Sequence, residues 1–201
     1  MNFLKISQLS FSYSTENTPI HSLSIDAHEP GVYLLQGKSG SGKTTLALLI
    51  SGHLKPTEGK IFLNEKKVSG PSSRCFLVSQ DDDLFPWMKI GDQIEFFRSF
   101  SSKGISTSEA LKLVGLSEVT DLYPFQLSGG MKKRVSLLRG TLLQPELLIL
   151  DETLSAIEVE LRADILNRLQ PIWATSKTGV LVITHDPLPE IQFPLAGSWR
   201  I

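Results

Sequence analysis

The chain has 201 residues, 41% of them hydrophobic, enough to bury the core of one domain with room for a small subdomain. Twenty Lys and Arg residues face 21 Asp and Glu residues, and the net charge of −1 gives no support to a nucleic-acid partner. The one cysteine, Cys75, excludes an internal disulfide framework and is compatible with a reducing compartment. Its apolar neighbours predict a buried structural thiol.

Hydropathy argues against a membrane span, because no stretch approaches the roughly 18 uninterrupted apolar residues that a spanning helix needs. Residues 1–5 lack the apolar core of a secretory leader. We therefore expect a soluble chain, which would work at a membrane only if another subunit holds it there.

The first part of the chain is predicted to consist of strands separated by turns. Alternation of apolar and polar residues predicts half-buried strands around Leu4–Phe11 and Leu23–Asp26. The apolar run Val32–Leu35, which follows a Glu-Pro-Gly turn, is typical of a buried strand. Two more strands are predicted over residues 60–63 and 74–79, the second ending at Gln80.

The most specific motif lies between residues 37 and 45. Gly37, Gly42, Lys43 and Thr44 fill every fixed position of the phosphate-loop pattern G-x-x-x-x-G-K-[ST]. A predicted strand precedes the loop and an apolar helix over residues 45–50 follows it, which is the context that the motif requires. The alternative, a Gly/Ser turn with a surface lysine, leaves this agreement unexplained.

The residue types of this loop predict how it would bind a phosphate. Glycine backbone and a helix N-terminus present N–H groups and partial positive charge to an anion. Lys43 would reach the β- and γ-phosphates, and the Thr44 hydroxyl would ligate Mg2+. The candidate nucleotide-binding residues of the loop are Gly37, Lys38, Ser39, Gly40, Ser41, Gly42, Lys43, Thr44 and Thr45.

The middle of the chain has a helical pattern. Apolar residues near helical spacing predict an amphipathic helix over residues 90–100. Ser106 and Glu109 fit a capping box and Gly115 fits a helix stop, after which helical patterning continues to Leu122. We interpret residues 88–140 as a helical insert in an α/β core.

The last part predicts two more buried strands and a long helix. An apolar strand over residues 146–150 ends in Asp151 and Glu152, and another over 179–184 ends at His185. Residues 157–169 have helical periodicity. Alternating helices and apolar strands indicate a mostly parallel sheet covered on both faces, with ligands bound at the carboxyl ends of its strands.

Two further groups are candidates for the same chemistry. Asp151 would hold Mg2+ directly or through water, and Glu152 could orient or deprotonate an attacking water. The alternative is that Asp151 only caps the next helix. Ser128, Gly129 and Gly130 open a helix and form a possible second anion site, although the same residues are common in simple turns. The basic residues at 132–134 are typical of a solvated helix face.

Taken in order, these motifs resemble the ATP-binding subunit of an ATP-binding cassette (ABC) transporter over nearly the whole chain. The phosphate loop, Gln80, the sequence Leu127-Ser128-Gly129-Gly130, the strand ending in Asp151-Glu152, and His185 occur in the order that this family has. The resemblance implies one ABC ATPase domain over residues 1–201. Its core would be of the phosphate-loop NTPase type, with a small antiparallel β part and the helical subdomain inserted at roughly 88–140.

The resemblance also implies roles for matching residues. Tyr13 would stack on adenine, Gln80 would touch Mg2+ and sense membrane subunits, and Ser128 to Gly130 would contact the γ-phosphate bound by a second protomer. Glu152 resembles the catalytic carboxylate, and His185 the switch histidine at the γ-phosphate. A packing tyrosine and a structural histidine are the alternatives at Tyr13 and His185.

A narrower likeness is to the nitrate, sulfonate and taurine importers and to thiamine-precursor importers. It rests on the segment Leu84–Trp87 and on Met131, which stands where most cassettes have glutamine. Aromatic side chains could line a groove for a coupling helix of the membrane subunit, or simply pack: Phe85, Trp87, Phe96 and Phe97.

The implied protein hydrolyses ATP with Mg2+ as a peripheral subunit on the cytoplasmic face of the plasma membrane. Its expected partners are a second ATPase subunit, making a homodimer, then permease subunits and a solute-binding protein. Glu158 stands where the family usually has aspartate, and Thr153 where it has proline. The altered Ser155–Glu158 stretch keeps open a nucleotide-gated module with weak hydrolysis, and an exporter cassette is a second alternative within transport.

Overall fold

The computed structural model describes residues 2–14, 18–81, 83–100, 105–186 and 191–201. Within them, the strands are β1 (Leu4–Phe11), β2 (Ile20–Ala27), β3 (Val32–Gln36), β4 (Glu58–Leu63), β5 (Lys66–Lys67), β6 (Cys75–Val78), β7 (Leu147–Asp151), β8 (Gly179–Thr184) and β9 (Gly197–Arg200). The helices are α1 (Lys43–Ile50), α2 (Ile90–Arg98), α3 (Thr107–Leu113), α4 (Gly129–Leu142) and α5 (Val159–Ser176), with a 3-10 turn at Pro124–Gln126.

The strands form two sheets. A parallel sheet has the order β6-β7-β8-β3-β9, and an antiparallel sheet has the order β2-β1-β4-β5. The predicted α/β class, with a mostly parallel sheet and a small antiparallel β part, is therefore confirmed. The parallel order brings the residues that follow β3, β7 and β8 to one edge.

Both faces of the parallel sheet are buried, as its apolar strands predict. In β8, Val180 and Val182 pack into the core shared with α2 to α5, while Leu181 and Ile183 pack into the core shared with α1 and the antiparallel sheet. The two cores fix the sheet between its covering layers, so the strand ends beside the phosphate loop have a rigid support.

The capping box on α3 is confirmed, but the helical extension to Leu122 is wrong. Gly115 adopts a left-handed φ of +66°, which ends α3 and turns the chain. The carbonyls of Thr120 and Leu122 then accept hydrogen bonds from the backbone N–H groups of Gly91 and Ile90, at 2.8 Å each. These carbonyls therefore accept hydrogen bonds from the free N–H groups at the start of α2, and they are not bonded within a helix of their own.

The last helix differs from its predicted bounds of 157–169. It starts at Val159 and continues through Pro171 to Ser176. Trp173 is 2% exposed and donates its indole N–H to Thr141 at 3.1 Å, so buried packing extends the helix past a residue that usually ends one. Strand β9 was not predicted, because four half-exposed residues carry little periodic signal.

Two other features of the described chain bear on the predictions. Cys75 is half-buried at the start of β6, and burial raises the pKa of its thiol to about 12, which fits an unreactive structural cysteine. No helix in the described ranges is long and apolar enough to cross a bilayer.

Candidate functional site

The phosphate loop joins β3 to α1, and its glycines have conformations or surroundings that side chains would disturb. Gly40 and Gly42 have left-handed φ values of +80° and +92°. A Cβ on Gly42 would also lie 2.8 Å from the Pro19 carbonyl, and one on Gly37 would clash with the Ile201 carbonyl. The loop is thus held in one shape at the start of α1, where the helix dipole favours an anion.

Lys43 is the first residue of α1 and its side chain curls back over the loop. It is 7% exposed, and its Nζ donates to the carbonyls of Gly37 and Lys38 at 3.0 Å each. The same Nζ lies 3.8 Å from Glu152 Oε1. A buried ammonium with these partners supplies a fixed positive charge beside the loop.

A cavity of about 810 Å³ opens in front of the loop. Ten of the sequence-predicted site residues line it: Tyr13, Ser39, Gly40, Gly42, Lys43, Thr44, Thr45, Gln80, Glu152 and His185. The other loop residues, Gly37, Lys38 and Ser41, line a neighbouring cavity on the far side of the loop, which His185 also borders. The fold therefore gathers predicted residues from five separate parts of the sequence around one space.

Asp151 ends β7 immediately behind this cavity. It is 1% exposed, and its Oδ1 has no hydrogen-bond partner within the described ranges. Burial raises the pKa of the carboxyl, with Glu152 adding to the rise and a hydrogen bond with Thr44 opposing it. A buried oxygen without a partner next to the Thr44 hydroxyl fits a hard cation such as Mg2+.

The described residues contain no cluster of three or more His, Cys, Asp or Glu side chains that could hold a metal by themselves. Mg2+ commonly binds through one or two carboxylates together with waters and substrate phosphates. A Mg2+ ion at Thr44 and Asp151 would therefore depend on a bound nucleotide.

Glu152 follows Asp151 and turns into the cavity. Its φ of +50° is left-handed, which is uncommon for a side-chain-bearing residue and strained, and its N–H donates to the Ile183 carbonyl at 3.0 Å. Oε2 accepts from the Ser155 hydroxyl at 3.0 Å and from His185 Nδ1 at 2.9 Å. The carboxylate is thus aimed at the loop and held by two neighbours.

Tyr13 and Gln80 both line the cavity and are exposed. Tyr13 is 56% exposed, packs edge-on against Phe11 at 4.9 Å between ring centroids, and shares a 3.2 Å hydrogen bond with the Thr45 hydroxyl. An open ring face at this position is available to a planar base. Gln80 follows β6 and is exposed towards the cavity.

The helix start at Ser128 to Gly130 borders this cavity without lining it: a Cβ on Gly130 would lie 2.8 Å from the carbonyl of Ala156, a lining residue. Ser128 caps α4, accepting from the Met131 N–H at 3.3 Å, and both Ser128 and Gly129 are exposed. None of the three residues lines the cavity in front of the phosphate loop. Their predicted contact with a γ-phosphate bound by another protomer stays a prediction.

Sequence reasoning missed four residues that line the cavity, namely Pro19, Lys133, Ser155 and Ala156. The expectation that Lys133 lies on a solvated helix face is wrong, since it is only 6% exposed. A signal existed: Lys133 shares one face of α4 with Leu137 and Gly140, at helical spacing. Because Lys133 stands between Lys132 and Arg134, the three basic residues were interpreted together as one solvated face.

A glycine loop between a parallel strand and a helix, with a buried carboxylate at the end of a neighbouring strand, defines a phosphate-loop nucleotide-binding protein. Residues 20–155 match the model of the ABC transporter family. The chain belongs to this family.

Several curated relatives are similar over most of the chain. An uncharacterized ABC transporter ATP-binding protein of Methanocaldococcus jannaschii is 35% identical over 83% of this chain and 64% of its own length. A taurine import ATP-binding protein of Sinorhizobium fredii is 39% identical over 75% and 58%. A nitrate import ATP-binding protein of Synechococcus elongatus is 38% identical over 75% and 57%. The chain thus spans about three fifths of the length of these relatives.

Solved structures share the fold. A dimeric ATP-binding cassette in a post-hydrolysis state with ADP and Pi superposes with a TM-score of 0.78 at 24% identity, covering 91% of this chain and 88% of that chain. A bacterial Atm1-family ABC exporter with ATP bound gives 0.77 at 25% identity, covering 91% and 34%. Because an exporter shares the fold, the fold does not set the direction of transport.

Proposed function

We propose that the chain is the ATP-hydrolysing subunit of an ABC transporter that imports a small organic solute. Membership of the family supports ATP as the substrate. Relatives named for taurine import, nitrate import and bicarbonate transport support import as the direction of transport. The segment Leu84–Trp87 and Met131 support the same importer branch and a solute resembling a sulfonate, nitrate, taurine or a thiamine precursor.

The observation that carries hydrolysis, beyond binding, is the placement of Glu152. Its carboxylate reaches into the cavity 3.8 Å from Lys43 Nζ, and two neighbours fix its orientation. A carboxylate fixed beside the position of a γ-phosphate can orient a water and accept its proton. The strained backbone at Glu152 is consistent with a position kept for such a role.

The other residues supply positioning and charge. Lys43 and the loop N–H groups would hold the β- and γ-phosphates, and Tyr13 would stack on adenine. Thr44, Gln80 and Asp151 would hold Mg2+, which when bound neutralises charge on the phosphate oxygens. His185, which contacts Glu152, would approach the γ-phosphate from the end of β8.

The Ser128–Gly130 helix start would complete the site from a second copy of the chain. The exposure of Ser128 and Gly129, and the absence of all three residues from the chain's own cavity lining, support a role between protomers. A nucleotide bound between two copies would stabilise the dimer by mass action.

We further propose that permease subunits hold the chain at the cytoplasmic face of the membrane, with a solute-binding protein delivering the solute. An exposed aromatic group supports a permease contact: Trp87 and Phe96 are 73% and 47% exposed. Both pack on Phe85, with ring centroids 5.6 and 6.3 Å away. Exposed aromatics grouped in this way are typical of protein interfaces. The near-neutral net charge gives no reason to add nucleic acid to these partners.

The Glu152→Gln variant tests this proposal. We expect ATP binding within about twofold of the unchanged chain, because the amide keeps the shape of the side chain, and hydrolysis reduced by about 10²- to 10⁴-fold because the base is lost. Light scattering with MgATP should show a dimer that persists in the variant.

The matched control is Glu118→Gln, which changes an exposed carboxylate between α3 and α4 that does not line the cavity. It should leave hydrolysis nearly unchanged. Undiminished steady-state hydrolysis by Glu152→Gln would remove Glu152 from its role. Phosphate release measured with the purified permease would then separate an active motor from a nucleotide-gated module.

A further inference from the structure

Lys133 is a buried cation to which the proposed mechanism gives no role. It lies on α4 one turn beyond the Ser128–Gly130 helix start and is 6% exposed. Burying an ammonium is costly unless polar partners replace its water. Such a residue on the wall of the nucleotide cavity calls for an explanation from its contacts.

Lys133 donates hydrogen bonds to consecutive backbone carbonyls around Gln80. Its Nζ donates to the Gln80 carbonyl at 2.6 Å, to the Asp81 carbonyl at 2.8 Å and, more weakly, to the Ser79 carbonyl at 3.4 Å. An ammonium has three N–H donors, and here all three have an acceptor in the same short segment. The backbone therefore curls around one charge, which fixes the direction in which the Gln80 side chain leaves it.

A second cation on the same helix holds the segment further along. Arg139 Nη1 donates to the Asp83 carbonyl at 2.7 Å, and its guanidinium lies over the rings of Phe85 and Phe97, 4.7 and 4.3 Å from their centroids. Arg139 is 4% exposed. Helix α4 thus holds the backbone near Gln80 through Lys133 and the backbone at Asp83 through Arg139. The chain then continues directly into the exposed aromatic residues.

We propose that Lys133 is a positioning residue for Gln80, holding the backbone from which the Gln80 side chain would reach Mg2+ bound with the nucleotide. This inference rests on the proposed function. Because the helix that carries Lys133 begins at Ser128–Gly130, the same contact ties the placement of Gln80 to the position of that helix start. A shift of α4 on dimer formation would then be transmitted to Gln80 through three hydrogen bonds.

The chain offers a matched control on the next residue of α4. Arg134 also donates to backbone carbonyls, those of Val114 and Gly115 at 3.1 and 3.2 Å, but on the side of α4 away from Gln80. Lys133→Met and Arg134→Met each remove a charged donor to loop carbonyls from the same helix. Only the first removes contacts with the Gln80 segment.

The experiment compares both variants with the unchanged chain by two readouts. The first is the rate of MgATP hydrolysis with its KM, together with the Kd for ATP in EDTA. The second is hydrogen–deuterium exchange of peptides from residues 74–88, with and without MgATP. Exchange reports on the segment whether or not the chain hydrolyses ATP, so it tests Lys133 even if the proposed function fails.

For Lys133→Met we expect kcat to fall about 10- to 100-fold while KM and the Kd in EDTA stay within about threefold, as for other positioning residues behind a reactive group. Exchange of the segment should rise, and MgATP should no longer slow it. Arg134→Met should change neither. Unchanged kcat and exchange in Lys133→Met would overturn the proposal. Equal losses in both variants would also overturn it, since general weakening of α4 would then explain them.

Discussion

Two helix starts in this molecule carry glycines and present backbone N–H groups, yet their surroundings differ. At the start of α1, Lys43 is buried, the left-handed glycines hold the loop, and two carboxylates stand behind and beside the cavity. At the start of α4, Ser128 and Gly129 are exposed, and a Cβ on Gly129 would meet nothing within 4 Å. The first helix start adds a buried lysine and a glycine loop to its N–H groups, whereas the second has its N–H groups and one hydroxyl.

The difference indicates two separate roles for the same kind of helix end. A helix N-terminus contributes only about half a positive charge, so tight phosphate binding needs further donors. The phosphate loop has them within one chain, and the α4 start would need a ligand already held by another surface. Changes at the start of α1 should therefore affect ATP binding by a single chain, and changes at Ser128–Gly130 should affect only steps that need two copies.

The largest effect should come from Lys43→Ala. Loss of the buried ammonium should weaken ATP binding by about 100-fold or more, equivalent to roughly 2.8 kcal/mol, as expected for charged hydrogen bonds to phosphate. Binding of a fluorescent ATP analogue measures it. Lys55→Ala, which changes an exposed lysine after α1 that does not line the cavity, is the control and should cost little. Equal affinities for the two variants would contradict the account of the loop.

An intermediate effect is expected from Gly129→Asp. The carboxylate has open space, and it is favourable at a helix N-terminus, so the fold should be unharmed. ATP binding by the single chain should stay within about twofold. Hydrolysis should fall about 100-fold, because the added carboxylate would repel the γ-phosphate held by the other copy. Gly129→Ala controls for the added Cβ alone. A matching loss of ATP binding in Gly129→Asp would erase the distinction between the two helix starts.

The smallest effect concerns stability without ligand. The raised pKa of Asp151 means that the folded chain disfavours its ionised form, so this residue costs stability as pH rises above its ordinary value of 3.8. At neutral pH, Asp151→Asn should therefore raise the melting temperature of the ligand-free chain by about 2–4 °C, the shift that roughly 1 kcal/mol gives at this size. MgATP should raise the melting temperature of Asp151→Asn no more than ATP in EDTA does. A lower melting temperature without ligand would show that Asp151 already has adequate partners.

Local sequence was most informative where one physical cause dominated. Val32–Leu35 and residues 179–184 form strands because their apolar side chains are covered on both faces, and the capping box at Ser106 predicted the start of α3. The predictions that failed depended on partners far away in sequence. Residues 116–122 lack a helix because their carbonyls meet the start of α2, and α5 passes Pro171 because Trp173 is buried beneath it.

What the sequence alone determined is the set of chemical groups and their order: the glycine loop with Lys43, the carboxylate pair after an apolar strand, and the histidine after the next one. Spacing and residue type suffice for these, since each depends on a few neighbouring residues. Only the tertiary structure decided that Lys133 is buried against Gln80 and that Asp151 has an oxygen without a hydrogen-bond partner among the described residues. Burial and hydrogen bonding depend on which distant segments meet, and a pattern along one segment does not contain that information.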